Sequence, residues 1–516
     1  MEPAQEGHFT QQWSFETPPA PIPKAAIKEV TAADVVIVGA GLAGLCAALA
    51  AAQTGAKVSL IEKGARSMFH GARNAAVGSR LQKKLGYEID KEEFVAELMR
   101  WSAYQANQRL LRLWVDESGP TMDWILDMLD AADVAVTIEP VTRQGDFYKH
   151  YPTSHLIPRR DPTKLTPGNA ELVRVLEENA RAAGVDVRFR TPAVQLVRPV
   201  GAGLAPAPPA PAPVTGVIAK TQAGFVQFDA RTVVLCTGGY EHDPEMLRRY
   251  IPRALDVAAN WYLPPITTGD GHKMGLWIGA AMDEAAHCPV LFDGSFPNML
   301  IPLALARQPF LNVNARGERY MNEDAPFGYI ANADLLQPGH LKWVIWDDKW
   351  PEEAPGFGGI ICKKLIPPLH TPELVQEFIG KGLIIQANNL DELARKMQVP
   401  ADTFLATVER YNELARQGKD LDFGKHPSRL TTIAKPPFSA ARTGAALLAT
   451  LSGLKVNIRL QVLDAEGHVI PGLYAAGNTS GGFFANDYPI TMPGLSHGRA
   501  LTFGRLAGLN AAADWV

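Results

Sequence analysis

The stretch VVIVGAGLAGLCAALAAAQTGAKVSLIEKG, residues 35–64, constrains the fold more than any other part of the chain. Its first four residues are apolar and mostly β-branched, the composition of a strand buried on both faces of a parallel sheet. Gly39 permits a tight turn, Gly41 lets backbone amides approach a pyrophosphate, and Gly44 lets the following helix lie close to the strand. The Ala-rich segment 42–53 is predicted as that helix, stopping near Gly55. A second strand, 57–61, ends at Glu62, 18 residues beyond Gly44. A carboxylate there accepts hydrogen bonds from both hydroxyls of an adenosine ribose and disfavours a 2′-phosphate. Strand, turn, helix, strand and acid in this order predict a dinucleotide site, with FAD and NAD both open at this point.

The chain has 516 residues, of which 47% are hydrophobic, enough for large cores and about three domain-sized units. Its 50 basic and 54 acidic residues leave a net charge of −4, without the basic bias of a nucleic-acid partner or an anionic membrane surface. Cys46, Cys236, Cys288 and Cys362 are far apart, so the chain offers neither a CxxC pair nor a CxxCH haem motif, and no metal site is expected. Cys46 and Cys236 sit in apolar patterns and read as reduced core thiols. No signal peptide or transmembrane stretch is expected, and the location predicted is cytoplasmic.

The proline-rich residues 1–30 read as an extended arm. Helical spacing runs from about 88 to 135, which places Trp101, Trp114 and Trp124 in the core, and another helix is predicted over 169–183 before a short strand, 186–190. The low-complexity segment 201–214 reads as a flexible excursion between strands. At 231–240, RTVVLCTGGY delivers an apolar strand into Thr237, Gly238 and Gly239, and GLYAAGNTSGG, 472–482, repeats the form with Gly477 and Asn478. Ligands sit at the carboxyl ends of strands in open parallel sheets. Two strand-to-glycine transitions beyond the first exceed what an NAD domain needs, and they predict a long dinucleotide held from both ends of the chain, FAD.

Together with the glycine fingerprint, the motifs TGG at 237–239, TTGDGHKMG at 267–275, VNARGERYMNED at 313–324 and PGLYAAGN…LTFGRLAG at 471–508 resemble the flavoprotein superfamily of fumarate reductase and succinate dehydrogenase. The resemblance runs from about residue 31 onward. It implies an α/β fold: a discontinuous Rossmann-like FAD-binding domain, 31–285 and 438–516, with an inserted α+β capping domain, 286–437. It implies hydride exchange between flavin N5 and one carbon of a C–C bond activated by a carbonyl or carboxylate, with a proton moved at the other carbon. It also implies cofactor contacts at Leu42, Ala43, Lys63, Gly71, Asn74, Gly78, Val194 and Asp270, with Asn478 in place of the usual acid. Ser496 and His497 fall at the amino end of the final helix, where backbone amides meet the flavin's pyrimidine oxygen. His70 lies about two residues from the place where a covalently attached family histidine would align, so non-covalent FAD is expected.

The proton-delivering arginine of fumarate reductases is absent after Asn322-Glu323. Their substrate-gripping histidine falls near Ala449, and their arginine after the third FAD motif lies where this chain reads NDYPITMPG. Fumarate and succinate are therefore poor substrates by this reading. NDYPITMPG instead resembles the segment of the 3-ketosteroid and tricarballylate dehydrogenases in which a tyrosine stands over the flavin, here Tyr488. Phe327 replaces a second tyrosine of the ketosteroid enzymes, and Tyr329 can substitute for it. Arg319, Arg442 or His287 can supply a charge that tunes a phenol, against the alternatives of a structural ion pair for Arg319 and a core histidine for His287. Electrons are expected from or to a separate donor or acceptor. Two other readings stand beside a CH–CH oxidoreductase acting on a small-molecule substrate: a non-catalytic FAD electron-transfer subunit, and a flavin oxidase or monooxygenase.

Overall fold

A computed structural model describes residues 13–139, 148–158, 160, 167–199, 212–299, 305–357 and 371–514. The amino-terminal motif forms the middle of a six-stranded sheet ordered Gln461–Leu463, Val469–Ala475, Thr232–Leu235, Val35–Val38, Val58–Ile61, Asp186–Arg188. All neighbours are parallel except the first pair. The three inner strands that start the chain's glycine turns or end at Glu62 are buried along their whole length. Register decides what this sheet can hold. Leu235 pairs with both Val38 and Ala475, and Val38 pairs with Ile61. Glu62, Gly39, Cys236 and Ala476 therefore leave the sheet side by side at one carboxyl edge, where strand order reverses and ligands bind in open α/β sheets.

The helix Leu42–Gln53 follows Gly41 and ends before Gly55, which takes φ +93°. It packs under the last helix, Leu495–Ala513. A Cβ on Gly504 or Gly508 would stand 2.3 or 2.2 Å from the carbonyl oxygens of Ala43 and Ala47, so only hydrogen fits between the two backbones. The first and last motifs of the chain are thereby locked together. The expected helices appear as Lys91–Trp101, Gln108–Ala131 and Asn169–Ala182. Trp101 and Trp114 are buried, and the half-buried Trp124 indole donates to Gln53 at 3.1 Å.

The arm expected over 1–30 passes into structure before its end. Phe15 is buried, its carbonyl accepts from the Trp277 indole at 2.9 Å, and Ile27–Ala32 is a strand of a four-stranded sheet with Gly224–Asp229, Gly216–Thr221 and Ala193–Val197. The last two strands flank the low-complexity excursion, whose residues 201–211 lie outside the described residues, as do 1–12 of the arm and Cys362. Cys46, Cys236 and Cys288 are buried and unbridged.

A second body is built on the 13-residue strand Phe438–Thr450. Pro289–Ser295, Leu341–Trp346 and Ile384–Ala387 pair with it antiparallel, so this sheet extends past residue 437. Two apolar clusters drawn from residues 296 to 441 pack on it, apart from the core of the parallel sheet.

Candidate active site

Two clefts open at the carboxyl edge of the parallel sheet and meet. One, of about 620 Å³, is lined by Gly39, Gly41, Glu62, Lys63, Thr237 and Asp270, among others. The other, of about 1310 Å³, runs from Gly41, Leu42 and Ala43 past Gly71, Gly477 and Asn478 to Tyr488, Ser496 and His497. Gly41, Met68, Cys236, Gly238 and Tyr262 line both.

At the first end Glu62 is held by the chain itself. Its Oε2 accepts from the Ala40 amide at 2.8 Å and its Oε1 from the Gly64 amide at 2.6 Å. Two lone pairs are thus used by the protein, and the carboxylate they fix lines the cleft. Lys63 and Asp270 are ion-paired at 2.6 Å, and Thr268 donates to Asp270 at 2.7 Å. At the junction Gly39 takes φ +105°, and a Cβ there would stand 2.4 Å from the Cys236 carbonyl oxygen, whereas a Cβ on Gly41 would meet no protein atom within 4 Å. The turn is closed to side chains at Gly39 and open at Gly41, where a pyrophosphate needs the room.

The second end lies at the amino terminus of Leu495–Ala513, whose N-cap, Gly494, takes φ +87°. The Ser496 amide donates to the Tyr488 hydroxyl at 3.2 Å, so that phenol oxygen sits on one of the helix's orphan donors and on the positive end of its dipole. His497 is turned aside, its Nδ1 lying 2.8 Å from the Arg73 carbonyl oxygen. His70 lines the cleft, tilted against Tyr262 at 4.2 Å between ring centres. Burial, and after it His497, lowers its pKa to about 4. Its buried Nε2 has no hydrogen-bond partner among the described residues, an orphan that a bound cofactor can satisfy. The open Gly41 cradle, the fixed Glu62 carboxylate and this orphan fit FAD.

Several of the sequence candidates stand elsewhere. Gly44 lies beneath the turn. Asn74 is buried, donating to Asn169 at 2.8 Å, and Gly78, with φ +81°, packs against Gly119 of a neighbouring helix. Val194 itself does not line the cleft, although its neighbour Ala193 does. Gly239 packs against Thr450 and Glu241.

Among the catalytic candidates, only Tyr488 lines the cleft. Arg319 is buried in an ion-pair network with Glu323 at 2.9 Å and Asp420 at 2.7 Å, and its guanidinium stacks on Tyr411 and Phe423. His287 is a core histidine: its Nδ1 is 2.6 Å from the Tyr240 hydroxyl, it stacks on Tyr250, and burial lowers its pKa to about 4. Arg442 is the one exposed residue of a strand otherwise buried or half-buried, and it does not line the cleft. Tyr329 stacks on Trp101 at 4.7 Å in an apolar cluster that also holds Tyr488, and burial pushes its phenol up.

Sequence reasoning missed Tyr262, Phe292, Leu448 and Ile490, which wall the second cleft; no motif marks them, because an apolar wall residue has the same pattern as a core residue. Arg73, also in the wall, is gripped by Glu139 through both its Nε and Nη2, the latter at 2.9 Å.

An extended cofactor laid along one sheet edge, with a helix terminus over its far end, is the plan of an FAD-dependent oxidoreductase. The chain belongs to the FAD binding domain family, which matches residues 34–488. It is 29% identical over 506 residues to a vinyl phenol reductase of Lactiplantibacillus plantarum, covering 93% of this chain and 96% of that one. It is 30% identical over 316 residues to a 3-oxosteroid 1-dehydrogenase of Mycobacterium tuberculosis, covering 55% of this chain and 53% of that protein. Among solved structures, the open conformation of a flavocytochrome c3 fumarate reductase superposes with a TM-score of 0.70 at 25% identity, over 95% of this chain and 80% of that one. The protein is an FAD-dependent oxidoreductase that acts on C–C bonds, as the family resemblance implies. No helix among the described residues is long and apolar enough to cross a membrane.

Glu62→Gln should weaken FAD binding by about 1.5–3 kcal/mol, because an amide replaces charge-assisted acceptors and presents an NH₂ to one of the two backbone amides that now donate to the carboxylate. Titration of FAD into the apoprotein measures this, and an unchanged dissociation constant would remove Glu62 from the site.

Proposed function

We propose that the protein exchanges hydride with a neutral, largely apolar alkene conjugated to a carbonyl or an aromatic ring, with Tyr488 as the proton carrier. The observation that carries this is the Tyr488 hydroxyl held 3.2 Å from the Ser496 amide, in a cleft walled by Val290, Phe292, Leu448 and Ile490. Bound FAD supplies the hydride exchange. Tyr488 gives a proton to the second carbon on reduction, or takes one on desaturation, and the Ser496 N–H stabilises the phenolate that remains.

Among the described residues Arg73 is the one permanently charged side chain lining this second cleft, and its fork is committed to Glu139. A dicarboxylate would bury charge without a partner, at a cost of about 3–5 kcal/mol. The vinyl phenol reductase and the 3-oxosteroid dehydrogenase named above support a ring-bearing substrate over fumarate. A substrate lid argues against an electron-transfer subunit that has lost its chemistry, and we divide the chain as 31–285 with 438–516 for FAD and 286–437 for the cap. The separate apolar clusters support a distinct cap body, and they reach past 437 to Phe438, Ala440 and Ala441 on the strand that carries its sheet.

We further take the FAD to be non-covalent, since His70 is offset from the family's attachment position. The electron donor or acceptor is a separate molecule, and the location cytoplasmic. Three buried, unbridged thiols support both of these last points, because none is paired for a cluster or an oxidising compartment.

Anaerobic reduction followed by stopped-flow reoxidation tests the substrate class. Aryl alkenes and enones should reoxidise the flavin at least about 10² faster than fumarate, the ratio that about 3 kcal/mol implies. Fumarate reacting as fast as the best enone would overturn the reading. Acid precipitation should release FAD into the supernatant, and yellow colour retained in the pellet would show a covalent link.

A further inference from the structure

Arg499 is fully buried in the last helix, directly behind the residue that replaces the family's acid. Its Nη1 donates to the carbonyls of Leu451 at 2.9 Å and Ser480 at 3.3 Å, and its Nη2 to Asn478 Oδ1 at 2.9 Å. Its Nε has no hydrogen-bond partner among the described residues, and its guanidinium faces the Phe484 ring at 4.8 Å. No carboxylate makes a hydrogen bond to it among these residues. Burial pulls its pKa down to about 10, which still leaves it charged at neutral pH. Asp283 is the carboxylate whose charge reaches it; burial raises Asp283 to about 6, which still leaves it mostly ionised at neutral pH, and it is held by the Gly482 amide rather than by the guanidinium.

Asn478 lines the flavin cleft and Arg499 does not. With Oδ1 committed to the guanidinium, the Asn478 group left for the cleft is its Nδ2 donor. A buried positive charge and an amide that it polarises both favour negative charge in the cleft, in surroundings where screening by water is weak.

We propose that Arg499, acting through Asn478, is a positioning residue that raises the reduction potential of the bound flavin by stabilising the negative charge of its two-electron-reduced ring. Together with the amino terminus of the helix that carries Arg499, this keeps electrons on the flavin between donor and substrate. The inference rests on the FAD site described above.

Dye-coupled reductive titration of the FAD-loaded enzyme tests it. Arg499→Met, a similar volume among phenylalanines, should lower the equilibrium ratio of reduced to oxidised flavin at least tenfold, which for a two-electron couple is about 30 mV. Arg499→Lys, which keeps the charge, should stay within threefold of wild type. Arg499→Gln, which loses the charge but keeps an amide donor for Asn478, should lower the ratio as Arg499→Met does; it decides the matter if the methionine variant does not retain flavin. A loaded Arg499→Met within threefold of wild type overturns the proposal, as does a lysine variant shifted as far as the methionine one. Flavin occupancy is measured first, so that a wild-type protein which takes up no FAD counts against the site itself, and an unchanged potential counts against Arg499.

Discussion

Tyr488→Phe should retain its flavin and lose turnover by roughly 10² to 10⁴, the usual contribution of a positioned acid or base. The ring sits in an apolar cluster with Trp101, Phe327 and Ile490 and packs near Phe484 at 5.7 Å between centres. Phenylalanine preserves these contacts and removes only the oxygen. The Ser496 amide then loses its acceptor, but as a first-turn helix donor in an open cleft it can be met by water. If Tyr488 were a packing residue alone, Phe would turn over normally and only Ala would do damage, through the cavity it leaves, at about 3–5 kcal/mol of stability. The comparison is read in single-turnover flavin oxidation by substrate, with flavin content assayed for each variant. A Phe variant within about threefold of wild type would exclude Tyr488 as the sole proton carrier, since at least about 10² is expected of that role. Tyr329, in the same cluster, is then the phenol to test next.

Gly44→Val and Gly41→Ala should separate folding from cofactor binding at neighbouring points of one turn. A Cβ on Gly44 would stand 1.8 Å from the Gly39 carbonyl oxygen and 3.4 Å from the Cys236 Cβ. The obstacle is the backbone of the turn between a wholly buried strand and a helix buried from Leu42 to Ala51, so relief requires the helix to move off the sheet. Overpacking of this kind costs at least about 1–3 kcal/mol, and here the expected result is loss of the folded flavoprotein, seen as insoluble expression or a thermal transition lowered by 10 °C or about that. Gly41→Ala meets no protein atom within 4 Å and Gly41 has an ordinary φ of −83°, so the apoprotein should melt as wild type does. Its methyl group would instead enter the space where both clefts meet, and FAD affinity should fall at least about tenfold, or 1.4 kcal/mol. A Gly41→Ala protein with full affinity would show that the cofactor does not approach this turn, and a normally folded Gly44→Val would show that the helix has room it lacks here.

The parallel sheet and its cofactor edge were legible in the sequence because each signal is local. An apolar β-branched run, a glycine at a fixed offset and an acid at the end of the next strand report on backbone geometry within a few residues of themselves. The tertiary structure then added the register that sets Val38, Ile61, Leu235 and Ala475 at one level, which turns separate motifs into one binding edge. The charges were not legible in this way. Arg319 and His287 stood open in the sequence between a catalytic and a structural role, and each was claimed by a partner far along the chain, Arg319 by Asp420 101 positions away and His287 by Tyr240 47 positions away. Tyr488 and the helix start near Ser496 were both found by resemblance, but the hydrogen bond that joins them appeared only in the fold. Arg499 carried no signal, since an arginine in a helix reads as a solvated one until the fold buries it behind Asn478. Backbone conformation is dictated by nearest neighbours and hydrophobic period, so the sequence by itself determined the cradle for FAD. Whether a charged side chain is free, paired or sealed in depends on which distant groups the fold brings against it, so only the tertiary structure decided which charged side chains line the cleft.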